Sequence, residues 1–148
     1  MSRRRHRREV DPVDHMAKLV WAMRLGAYIL AGYAVVQSIA IIAGGPLRFS
    51  APGYYAAMQV PGAPPVWGLV LLPMGVLGLY GIRTSGHVLV RNSMFMMGAW
   101  SAFFCVAFLL SALNSPTANL TAVVAYGKDT LLFVLVAVAY NLRRKKRA

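Results

Sequence analysis

Four long apolar runs, separated by short polar or proline-rich breaks, organise this chain. The first extends from Leu25 to Ala43 without a charge. As a helix rising ~1.5 Å per residue it covers roughly 28 Å, close to a hydrocarbon core of about 30 Å. Gly44, Gly45 and Pro46 end it. The second, Val66 to Ile82, is shorter and carries Gly68, Pro73, Gly75, Gly78 and Gly81. Those residues break helices in water but are tolerated in lipid, where neighbouring helices re-satisfy the freed backbone groups. The third, Ser93 to Leu113, is rich in aromatics and is closed by Asn114, Ser115 and Pro116. The fourth, Asn119 to Leu142, is interrupted only by Lys128 and Asp129. The pattern predicts an all-α integral membrane bundle of four transmembrane helices, with spans at 25–43, 66–82, 93–113 and 119–142.

Composition agrees. The chain is 58% hydrophobic and 14% charged, against about 45–50% and about 25% in soluble domains. A chain of 148 residues has too little volume to hide that much apolar surface in water. The formal charge is +12, from 16 Lys and Arg against 4 Asp and Glu. Its distribution sets the expected topology. Arg3, Arg4, Arg5, Arg7, Arg8, Lys18 and Arg24 precede the first span, Arg83 and Arg91 flank the loop after the second, and Arg143, Arg144, Lys145, Lys146 and Arg147 form the tail. With both termini cytoplasmic, 14 of the 16 basic residues lie inside, as the positive-inside rule requires. The chain thus divides into a basic arm and juxtamembrane segment (1–24), a four-span domain (25–142) and a basic tail (143–148), in the cytoplasmic membrane. The first apolar run exceeds the 7–15 residues of a signal-peptide core, so an uncleaved anchor is expected. Trp21, Tyr54, Tyr55, Trp67, Tyr80 and Tyr140 fall near expected membrane interfaces, where amphipathic rings prefer to sit.

Outside the spans, Met1 to His15 reads as a disordered basic arm ending in a break at Val10–Asp14. The arm and tail suit anionic lipid headgroups or a partner protein. They lack interleaved aromatics, so no nucleic-acid stacking platform is expected. The long loop from Gly44 to Pro65 holds four further prolines after Pro46. It reads as a structured connector packed over the bundle, with one helical turn in Tyr54–Gln59. Asn114 to Ala118 reads as a tight turn, and His87 as a surface loop residue.

Lys128 and Asp129 are the only charges placed inside a span. Such groups usually face a bundle interior or a water-filled path. Adjacent helical side chains point about 100° apart, so each is expected to need a partner other than its neighbour. Candidates are Gln37 and Ser38 on the first span, Ser101 on the third, or the opposite charge on another subunit. Two structural alternatives are outward snorkelling of Lys128 and a helix break at Gly127, with Asp129 or Thr130 as a cap. Helix contacts in lipid favour small residues, which singles out Gly75 and Gly78 on the second span and Gly98 and Ala102 on the third. Phosphate-loop, zinc-protease, paired-cysteine and nucleophile–base motifs are absent. No enzymatic activity, cofactor, metal or small-molecule substrate is therefore expected.

Val60-Pro61-Gly62 followed by Trp67-Gly68-Leu69 at the head of a glycine-rich span, with four spans and a basic tail, resembles the small four-span, holin-like membrane proteins of actinobacterial phages. That resemblance implies a homo-oligomer that permeabilises the cytoplasmic membrane during lysis. It also draws attention to Met16 as a second start. Beginning there removes five arginines and three acidic residues, and holins pair a longer, more cationic form with a shorter lethal one. A non-lytic membrane adaptor is the alternative expectation, and a small ion or solute transporter the third.

Overall fold

The computed structural model describes residues 12–44, 49, 54–114 and 120–145, with side chains described for these except 12–15, 55–56 and 143–145. Among them there is no strand. The helices are α1 (Pro12–Gly44), the single-turn α2 (Tyr55–Met58), α3 (Pro65–Arg83), α4 (His87–Asn114) and α5 (Thr121–Lys145). All but α2 are long and apolar enough to cross a membrane.

Two of the helices begin earlier than the apolar runs. α1 starts at Pro12, within the stretch expected to be a break. A proline is well placed in a first turn, where its missing N–H has no intrahelical partner to lose. The segment before Leu25 belongs to the same helix. α4 starts at His87, so the connection after α3 is only Thr84–Gly86. Ser85 adopts a positive φ of 56° there, and the Gly86 amide donates to the Gly81 carbonyl at 2.8 Å. These contacts close the turn and reverse the chain.

The helices pack in two pairs, α1 with α3 and α4 with α5, joined where α3 meets α4. The α1–α3 seam is made of small residues. Ala27, Ala31, Ala34 and Ser38 on α1 have essentially no solvent exposure. Across from them, a Cβ on Gly75 would lie 2.9 Å from Val35 Cγ2 and 3.1 Å from the Ala31 carbonyl oxygen. One on Gly68 would lie 2.7 Å from the Ser38 carbonyl oxygen. The two backbones therefore approach as closely as glycine allows, which is how helices associate when lipid supplies no hydrophobic drive. Pro73 sits inside α3 without ending it.

The α4–α5 half packs instead through bulk. Phe104 and Phe133 are fully buried. Tyr126 of α5 stacks on Phe104 and Phe108 of α4, with ring centroids 5.4 Å apart in both pairs. At that end of the bundle α2 lies against α4: Tyr54 meets Phe108 edge-on at 4.8 Å, and the Trp67 indole N–H donates to the Ala57 carbonyl at 3.0 Å. The described part of the long loop is thus a packed connector, and its helical turn falls at the expected place. Asn114–Ala118, read as a tight turn, lies largely outside the described residues.

The opposite end gathers the basic residues. Arg24 of α1 donates to the Ile82 carbonyl of α3 at 3.1 Å. Arg91 of α4 donates to Asn141 Oδ1 of α5 at 3.2 Å, and the His87 ring lies 5.9 Å from that of Tyr140. The Arg24 level of α1, the end of α3, the start of α4 and the end of α5 therefore share one end of the bundle. One expectation changes here: His87 is half-buried against Tyr140 rather than free in a loop, and Tyr140, near the basic end, is itself buried. Trp21 and Tyr80 are exposed.

Candidate functional site

Tyr33 and Gln37 are one turn apart on α1 and so share a face. Tyr126 and Asp129 share a face of α5 in the same way. The fold brings these two faces together. The Tyr33 hydroxyl donates to Asp129 Oδ2 at 3.2 Å, and the Gln37 side chain hydrogen-bonds the Tyr126 phenol. Asp129 is only 8% exposed. Its other carboxylate oxygen lies 3.5 Å from Lys128 Nζ. The result is a polar belt at mid-depth where α1 touches α5, in an otherwise apolar bundle.

This geometry corrects the expectation that Lys128 and Asp129 do not pair. The 100° offset holds for Cβ directions, but the four-carbon lysine stem curls round the helix to reach the carboxylate. It also removes the break at Gly127, since α5 runs unbroken from Thr121 to Lys145. The partners divide differently from expectation. Asp129 takes Tyr33, Gln37 goes to Tyr126, and Ser38 donates to its own helix at the Ala34 carbonyl, 2.6 Å away. Ser101 is buried on α4. Tyr33 and Tyr126 were not picked out from the sequence; the signal was the spacing of Tyr33 with Gln37 and of Tyr126 with Asp129.

Lys128 points the other way. Its side chain is 66% exposed. A carboxylate is thereby held inside the bundle while an ammonium is presented on its outer surface.

The small residues singled out from the sequence lie at contacts within the chain. Gly75 and Gly78 face α1, and a Cβ on Gly98 would lie 3.2 Å from Val134 Cγ2 of α5. Ala102 is partly buried on α4. Arg3, Arg4, Arg5, Arg7, Arg8, Lys146 and Arg147 lie outside the described residues. Arg143, Arg144 and Lys145 continue α5. Among the described residues, no group of three or more His, Cys, Asp or Glu side chains is placed to hold a metal ion. No protein-family profile, curated protein or solved structure matches this chain.

Proposed function

We propose that this protein is a non-enzymatic, holin-like permeabiliser of the cytoplasmic membrane, acting as a homo-oligomer with both termini cytoplasmic. The observation that supports this reading is the outward-facing Lys128 at mid-depth on α5, 66% exposed. A lysine at such depth costs about 2.5–3.5 kcal/mol in an isolated span. That penalty is relieved when α5 helices of several copies surround water and their Lys128 side chains line the opening. Asp129, held by Tyr33, keeps the lysine in place beside it. Small size and the absence of catalytic motifs fit the same role.

Inducible expression in a bacterial host tests this. The expected outcome is growth arrest with collapse of the membrane potential, and Lys128→Leu is expected to delay that collapse markedly at equal protein level. Cells that keep growing and stay polarised at high expression would overturn the proposal. The adaptor reading then gains if a co-purifying partner is lost on deleting Met1–His15 and Arg143–Arg147.

A further inference from the structure

At the basic end of the bundle, an open groove of about 540 Å³ runs between α4 and α5. That volume lies within the ~300–1,000 Å³ typical of small-molecule sites. Its chemistry is graded along the membrane normal. The rim is polar, formed by Arg91, Asn92 and Asn141 near the ends of the two helices. About one turn further into the span, Phe95, Met96 and Val138 form apolar walls, exposed by 60%, 49% and 48%.

Arg91 is held in place at this rim. Its Nε and one terminal nitrogen donate to Asn92 Oδ1 at 3.0 and 2.8 Å, and the other terminal nitrogen donates to Asn141 at 3.2 Å. These bonds use three of the five guanidinium N–H groups. The acceptors are neutral amides, so the charge is oriented but not neutralised. The chain has four acidic residues, Glu9, Asp11, Asp14 and Asp129. Of these, Asp129 is engaged by Tyr33 and Lys128 several turns away. α5 goes on to add Arg143, Arg144 and Lys145 within about one turn of Asn141.

We infer that this groove binds an anionic phospholipid of the adjacent leaflet. The headgroup phosphate sits on Arg91, and an acyl chain lies along Phe95, Met96 and Val138. A positioned cation at headgroup depth above an apolar wall at acyl depth complements an amphipathic anion. A soluble anion leaves the wall uncovered. The inference depends on the membrane-spanning fold and not on pore formation.

The test uses the full-length protein in detergent, with native mass spectrometry of added phosphatidylglycerol and, in a parallel arm, phosphatidylcholine. Phosphatidylglycerol is expected to be retained in preference. Arg91→Gln is expected to weaken its binding about ten-fold, the loss of a charge-assisted hydrogen bond. Arg83→Gln, at the exposed end of α3, is expected to leave binding unchanged. Val138→Phe, which fills the groove and keeps every charge, is expected to weaken it too. Met96→Trp on the facing wall replaces that variant if it fails to fold. Millimolar inorganic phosphate is expected to leave the bound lipid in place. Wild-type binding by Arg91→Gln, equal loss in Arg83→Gln, or displacement by inorganic phosphate would each overturn the inference.

Discussion

The two sides of α1 solve the same problem in opposite ways. Toward α3 the helix presents Ala27, Ala31, Ala34 and Ser38, and the partner answers with glycines, so backbone meets backbone. Toward α5 it presents Tyr33 and Gln37, and contact is made by polar tips reaching across a looser junction. Lipid removes the hydrophobic drive between helices, leaving close packing and hydrogen bonding as the means of association. These means differ in tolerance. A close backbone seam has no room to give, whereas a side-chain bridge can be cut locally.

The largest expected effect comes from breaking the seam. Gly75→Leu forces a side chain against the Ala31 carbonyl and Val35. It should destabilise the bundle by about 3 kcal/mol, the upper range for overpacking, read as a lower unfolding midpoint when the detergent-solubilised protein is titrated with SDS. Cutting the bridge should matter less. Tyr33→Phe, combined with Asp129→Asn in a double-mutant cycle, should give a coupling of about 0.6 kcal/mol, the average for hydrogen bonds between membrane helices. A coupling near zero would mean that the Tyr33–Asp129 contact holds nothing together. The smallest effect sharpens the contrast on the same helix. A Cβ on Gly32 meets nothing within 4 Å. Gly32→Ala should therefore stay within about 0.5 kcal/mol of the parent, as substitutions away from packed features do. A large loss there would show that α1 has contacts on its outer side.

Much of the architecture was legible because a span is a one-dimensional property. Four apolar runs of bilayer length, ended by Gly44-Gly45-Pro46, by Arg83 and by Asn114-Ser115-Pro116, sufficed to predict the four long helices. Their starts were less legible. Pro12 read as a breaker although a first-turn proline is a start signal, and His87 read as loop although the turn needs only Thr84–Gly86. The Lys128–Asp129 pair is not legible from spacing, because helical geometry fixes where Cβ points, not where a four-carbon stem ends.

The sequence by itself determined that the chain crosses a membrane in four helices and gathers most of its positive charge at the chain ends and in one short loop, since length, hydropathy and charge order are properties of the string. Tertiary structure alone decided which helix faces which. It set the glycines of α3 against α1, paired Tyr33 with Asp129, turned Lys128 outward and left Arg91 over an apolar groove. These outcomes depend on the rotation of each helix about its axis, which packing fixes and no single span encodes.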